Sequence, residues 1–379
     1  MPMILDADTK MVRETAHDFF SAKSPILALR KLRDSNDPDG FSRPLWREMA
    51  ELGWSGFLVP EDHGGSGFGH VGLGQVMEAA GRTLAATPLL GTALIGAVAI
   101  DLGGTEAQKS EYFPGLVGGE TIFALALEEG AHHAPYRIAT TAKMSGAGWV
   151  LDGAKQFVLD GHVADTLIVA ARTSGGPRER QGITLFLVPG NAPGVSRRRS
   201  IMVDSRNAAR ITLAGVSVGA EAVLGPVDGG ADLLDRILDR ARAGLSAEML
   251  GSSAEAFERT VQYLKDRKQF GVPIGSFQAL KHRAAHMYCE VEATRSAVTA
   301  ALDALDSNAN DASLLASLAK TKASATARLT GDEGIQMHGG IGMTDEHEIG
   351  FFLKRARVAE ATFGDAAFHR DRYAALSGY

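Results

Sequence analysis

The stretch 331–356, GDEGIQMHGGIGMTDEHEIGFFLKRA, decides the fold, because it breaks a helical pattern with glycine. Gly334, Gly339, Gly340 and Gly342 fall within nine residues. Each costs a helix interior about 1 kcal/mol relative to alanine. A chain that keeps them needs a reason. Either the segment is a hinge between bundle helices, or something lies against its bare backbone N–H groups.

Upstream of this break the helical period runs long. Leu234, Leu238, Ala241, Leu245, Met249 and Phe257 keep to one stripe of a helix that passes through LKDRK. A second stripe begins near Phe277 and continues through Ala284, Met287, Val291, Val298 and Leu302; a third covers SLLASLAKTKASATARL. Long helices with short links predict a four-helix bundle over 227–379. Before it, the runs WVLDGAKQFV, TLIVAAR, GITLFLVPG and ARITLAGVSV, parted by Gly, Asp, Asn and Pro, predict an antiparallel β-domain over 121–226. Residues 1–120 return to helical spacing in ETAHDFF, LWREMAEL and GQVMEAAGRTLA, with VPEDHGGSGFG as a loop. The expectation is a multi-domain α+β protein in the order helical, β, helical.

Composition narrows the class. At 379 residues the chain exceeds one ordinary core, and 45% hydrophobic with 22% charged residues is ordinary for a soluble globular protein. A net charge of −6 gives no reason to expect nucleic acid or an anionic membrane. The basic run Arg197–Arg199 reads as a solvated turn. The single cysteine, Cys289, excludes an internal disulfide framework, suits a reducing cytoplasm and is expected to pack in a helix. MPMILDADTK lacks the basic start and apolar core of a signal peptide, and PLLGTALIGAVAI, at 13 residues, is too short to span a bilayer. A cytoplasmic location is expected.

Several motifs are set aside. GFGHVG (67–72) matches G-x-G-x-x-G without a βαβ context. His282 and His286 have metal-capable spacing but no third ligand, and no metal is expected. What survives is RKQFGVPIGSFQ (267–278), a helix end, a Gly-Pro turn and a new helix, presenting Arg267, Phe270 and Gln278. Arginine forks onto phosphate, an aromatic ring covers an apolar ring system, and glutamine pairs with polar edges. QMHGGIG (336–342) follows downstream.

Together the two segments resemble the acyl-CoA dehydrogenase family, as do GWSGFLVPEDHGGSGFG with QVMEAAGR and the domain order over the whole chain. The resemblance implies an FAD flavoprotein, with Arg267, Phe270, Gln278, Gln336, Gly339 and Gly340 meeting FAD bound mainly by a neighbouring subunit. It also implies acyl-CoA α,β-dehydrogenation, with electrons leaving to an electron transfer flavoprotein.

The chain departs from the family where the base belongs. The usual glutamate matches Phe363 in EATFGDAAF, and the alternative position, before an arginine, matches Ala241 in Ala241–Arg242. Neither is a carboxylate. Asp365 is the leading substitute, competing with a helix-capping or ribose role; Glu360, one turn before Phe363, is next, and Glu248 lies too far along its stripe. Arg242 is assigned to positioning. In the β-domain, LEEGAHHA and FVL stand where the family has flavin-holding hydroxyls. Phe157 still stacks on flavin, while Leu127 and Leu159 offer only backbone. Three readings stay open: an active homo-oligomeric dehydrogenase, an FAD-site-completing subunit of a heterotetramer whose partner carries the base, and a flavin monooxygenase on the same fold.

Overall fold

The computed structural model describes residues 5–379. The chain opens with α1 (Ala7–Lys23), α2 (Ile26–Asp34), α3 (Arg43–Glu51) and α4 (Gly69–Arg82). The Asp6 side chain starts α1 by accepting the Thr9 N–H at 2.7 Å. A π-helical turn over Leu89–Gly96 then runs into α5 (Ala97–Gly103), and α6 (Glu106–Val117) begins with a capping box between Thr105 and Gln108. The apolar run at 88–100 is buried along its whole length. Among the described residues no helix is long and apolar enough to cross a membrane.

Eight strands follow: β1 (Phe123–Ala126), β2 (Thr141–Ser145), β3 (Gly148–Leu159), β4 (Thr166–Arg172), β5 (Ile183–Pro189), β6 (Val195–Ile201), β7 (Asn207–Gly219) and β8 (Val223–Leu224). They form one sheet in the order β6-β7-β3-β2-β4-β5-β8, with β1 beside β4. The ladder is antiparallel along most of this path. β1 runs parallel to β4, and one β2–β4 pairing is parallel, so the sheet is mixed. β1 and β4 are buried at every residue, as suits parallel strands covered on both faces. Trp149 meets Phe186 edge-on at 5.6 Å in the core over this sheet. Arg197–Arg199, expected as a turn, lies within edge strand β6, where charged side chains discourage further pairing.

The remainder is helical: α7 (Gly230–Asp266), a two-residue ladder of β9 (Lys268–Gln269) and β10 (Val272–Pro273), then α8 (Gln278–Asp306), α9 (Ala312–His338), α10 (Ile349–Ala361) and α11 (Ala366–Leu376). α9 packs against α8, α10 and α11. Cys289 is exposed on α8, not packed, as are His282 and His286.

Two compact units divide the chain. One holds the residues up to Asp34, His70–Ala85 and Arg242–Tyr379; the other holds Ser35–Gly69 and Ala86–Ala241. Within the first, α4 and α7 cross with backbones in contact. A Cβ built on Gly81 would fall 2.0 Å from the Glu248 carbonyl oxygen, and one on Gly251 would fall 1.9 Å from that of Glu78. Only glycine permits that approach.

Candidate functional site

Backbone strain marks the site segments. Among the described residues, nine non-glycine positions have positive φ, and three of them are phenylalanines: Phe157 (+52°), Phe270 (+55°) and Phe363 (+57°). For a bulky side chain this region is an outlier, and such strain concentrates at functional positions. All three lie in segments singled out by the sequence.

Phe157 sits where the β3–β7 register slips between Lys155 and Val158. A bulge of this kind re-aims a side chain, and the Phe157 ring is 51% exposed although its strand is central. Beside it, the Leu127 carbonyl, the backbone acceptor expected to replace a lost hydroxyl, is taken by the buried Lys155 ammonium at 3.2 Å. Lys155 also reaches Glu129 at 2.7 Å, and Glu129 accepts the Ala139 and Thr140 N–H groups. Burial lowers the Lys155 pKa, against the pull of Glu129. The same loop borders a cavity of about 660 Å³ whose lining includes His132, Arg137, Pro177 and Arg178.

Phe270 is 89% exposed, at the tip of the β9–β10 hairpin, and packs edge-on against Phe277 at 6.1 Å. Arg267, at the hairpin's root, is exposed, and among the described residues nothing pairs with its guanidinium. The neighbouring carboxylate, Asp266, is held by the Gln262 amide at 2.9 and 3.0 Å. Gln278, exposed, opens α8.

Gln336 lies in the last turn of α9, and Gly339 (φ +63°) turns the chain out of it. The four glycines of the opening stretch divide into two kinds. A Cβ on Gly334 would press Ile349 at 3.0 Å and one on Gly342 the Ile335 carbonyl at 2.8 Å, so these two serve helix packing. A Cβ built on Gly339 or Gly340 would meet nothing within 4 Å, and both residues are exposed, so their backbone is open to an external group. The hairpin and this turn are neighbours: Leu264 and Ile274 share one apolar cluster with Met337. Tyr263 also stacks on His338 at 4.3 Å. An unpaired guanidinium, exposed aromatic and amide groups and bare glycine backbone suit a phosphate-bearing dinucleotide.

The Phe363 turn is built differently. α10 ends at Ala361, and Gly364 (φ +107°) leaves no room for a side chain, since a Cβ would meet Phe368 at 2.5 Å. The Phe363 carbonyl accepts from Arg242 Nε at 3.2 Å and from His369 Nε2 at 3.0 Å. The Lys320 ammonium donates to the Glu360 and Gly364 carbonyls, each at 3.0 Å, and to Ser324 Oγ at 3.3 Å. Arg242 and Lys320 are 1% and 0% exposed. Burial, reinforced by the charge on Arg242, pulls the Lys320 pKa down to about 7.

The candidate carboxylates are placed as follows. Asp365 is exposed, and its Oδ1 caps α11 by accepting the Phe368 N–H at 2.8 Å. Glu360 is half-buried, with Arg357 at 3.8 Å. Glu248 is buried against Arg355 at 2.8 and 3.1 Å. Glu78, half-buried on α4 and not among those candidates, accepts from Arg295 at 2.6 Å. Lys320 and His369 carry no motif that would have flagged them, and His338 lies inside QMHGGIG without being singled out. A lysine on the apolar stripe of SLLASLAKTKA is the one available signal.

Family models cover nearly the whole chain. Those described as the acyl-CoA dehydrogenase N-terminal, middle and C-terminal domains match residues 6–120, 124–216 and 228–376. The probable acyl-CoA dehydrogenase YngJ of Bacillus subtilis is 31% identical over 372 residues, 97% of each chain. Among solved structures, the steroid ACAD Tcur3481-Tcur3483 is 33% identical with a TM-score of 0.88, covering 98% of each chain. An acyl-CoA dehydrogenase complexed with FAD, from Bacillus anthracis, is 28% identical with a TM-score of 0.91, covering 100% of this chain and 69% of that one.

Proposed function

The chain belongs to the acyl-CoA dehydrogenase family of FAD-dependent oxidoreductases acting on CH–CH bonds, and from that premise we propose that it desaturates an acyl-CoA thioester at the α,β-bond and passes the electrons to an electron transfer flavoprotein in the cytoplasm. The observation that carries this reading is the exposed hairpin joined to the open glycine turn. Arg267 holds the pyrophosphate of a neighbouring subunit's FAD, Phe270 covers apolar surface, and Gln278 and Gln336 pair with polar edges. Gly339 and Gly340 admit the cofactor backbone, and Phe157 stacks on the flavin. When bound, FAD supplies the acceptor for the hydride that leaves the β-carbon.

Arg137, Arg178 and His132 line the cavity beside Glu129, and their chemistry suits phosphate groups. Asp365, or else Glu360, takes the α-proton, and Arg242 sets the Phe363 turn from beneath. Because the cofactor contacts reach a neighbour, the working form is a dimer or tetramer.

A second reading is favoured by one observation. The nearby carboxylates already have structural duties: Asp365 caps α11, and Glu248 is bound to Arg355. On that reading the chain completes the FAD site of a heterotetramer whose other subunit carries the base. Light scattering and flavin absorbance on the purified chain test the shared premise. A yellow dimer or tetramer is expected; an FAD-bound monomer contradicts it.

A further inference from the structure

His338, the last residue of α9, occupies the seam between the hairpin root and the glycine turn. Its ring lies 4.3 Å from that of Tyr263, at 29°, and 4.5 Å from that of His347. Nδ1 stands 2.6 Å from the Gly334 carbonyl oxygen. A carbonyl only accepts, so Nδ1 carries the proton and Nε2 a lone pair. Nε2 is buried without a hydrogen-bond partner, in a residue 3% exposed. A buried orphan of this kind calls for a reason.

The contacts supply one. Tyr263 lies in the last turn of α7, and its carbonyl accepts the Arg267 N–H at 2.8 Å. One face of His338 therefore braces Tyr263, one turn before the hairpin root Arg267, while Gly339 follows on the other side through the chain itself. We propose that His338 is a positioning residue for the cofactor surface: as a neutral imidazole it joins the hairpin root to the glycine turn, and a proton on Nε2 loosens that joint. The inference rests on the FAD reading above.

The surrounding charges do not accommodate a cation. Tyr263 offers a neutral phenol, and His347 would be a second cation at close range. Glu348, the acid beside His347, already holds Arg259 at 2.6 Å; burial, against the pull of Glu348 and with the charge on Arg259, lowers the His347 pKa. For His338 itself, burial lowers the pKa below its ordinary 6.5; the Gly334 bond opposes this and His347 adds to it. A depressed folded-state pKa means the contribution is present above pH 6.5 and is lost as pH falls through the lowered value.

The test follows two readouts, FAD retention on gel filtration and the apo-protein's thermal midpoint, from about pH 8 down to about pH 5. Wild type should lose FAD affinity by up to roughly tenfold per pH unit in the acid range. His338→Phe, which keeps a stacking ring and removes the proton, should be flat there; His338→Gln should also be flat, with weaker retention throughout. The midpoints should show the same contrast. Variants that follow the wild-type profile in both readouts overturn the inference. If no protein holds FAD at the alkaline end while the midpoints still diverge, the FAD reading fails and the joining role stands.

Discussion

Phe270 and Phe363 share almost the same backbone twist, φ +55° and +57°, in opposite surroundings. Phe270 projects from the hairpin tip beside an arginine without a partner. Phe363 lies over a turn whose carbonyls are gripped by Arg242, His369 and Lys320. Equal local strain is thus sustained by two means. At the hairpin, a two-residue ladder holds a surface ready for something outside the chain. At the Phe363 turn, buried Arg242 and Lys320 hold the backbone from within. The difference teaches that the same backbone twist can be held by an exposed ladder or by buried side chains that grip its carbonyls.

The largest expected effect sharpens the inner side of this contrast. Removing one member of the buried Glu248–Arg355 pair, as in Glu248→Ala, should destabilise the protein by about 3–5 kcal/mol in chemical denaturation, because it strands a charge. A loss below about 1 kcal/mol would mean that the pair is not structural and that Glu248 is available for chemistry.

On the outer side, Arg267→Ala should weaken FAD retention by about 10–100-fold, the range of one charge-assisted hydrogen bond, with no change in thermal midpoint of the apo-protein. Gly340→Val should weaken retention in the same way by filling open space. If both variants hold FAD like wild type, this surface does not face the cofactor.

Lys320→Met separates the two terms that act under the Phe363 turn. It removes donors from two carbonyls and also removes a buried cation. With a folded-state pKa near 7 against an ordinary 10.5, the native state sheds its proton first, so wild-type stability rises with pH between those values. Relative to Lys320→Met, wild type should gain up to about 1.4 kcal/mol per pH unit there. Parallel pH profiles would show that Lys320 does not titrate in that range.

The smallest effect belongs to Asp365. Asp365→Ala should cost about 1 kcal/mol through the lost cap, while Asp365→Asn, which caps nearly as well, should leave stability unchanged. An equal loss in both would mean that the charge, not the cap, is what the fold uses.

Legibility followed the distance between partners. The α7, α8 and α9 stripes could be read, and the two segments proposed to meet the cofactor stood out, because their signals are local: apolar periodicity, a Gly-Pro turn, a cluster of glycines. The chain's glycines at 334, 339, 340 and 342 looked alike, since nothing local says that Ile349 crowds one while open space surrounds another. Lys320 and His369 escaped notice because they hold backbone carbonyls, which carry no sequence signal. In the case of Lys320 those carbonyls lie forty and forty-four positions away. The parallel β1–β4 pairing was hidden for a related reason, as a short buried run such as FALA states no direction. Asp365 reads in the sequence as base, cap or ribose partner; the structure displays the cap, and a kinetic experiment addresses proton transfer.

That experiment tests the central claim most directly. The FAD-loaded chain is mixed anaerobically with a panel of acyl-CoA thioesters in a single turnover, alone and with a second family member that carries a carboxylate at the position of Phe363 or Ala241. Asp365→Asn and Glu360→Gln are run beside wild type. The proposed dehydrogenation predicts bleaching of the flavin absorbance by the chain alone. The variant that removes the base should then be slower by about 10²–10⁴-fold. Bleaching only with the second subunit present would identify the chain as the FAD-site-completing partner. No bleaching under either condition, with FAD and thioester both bound, would contradict the assignment of acyl-CoA desaturation to this protein.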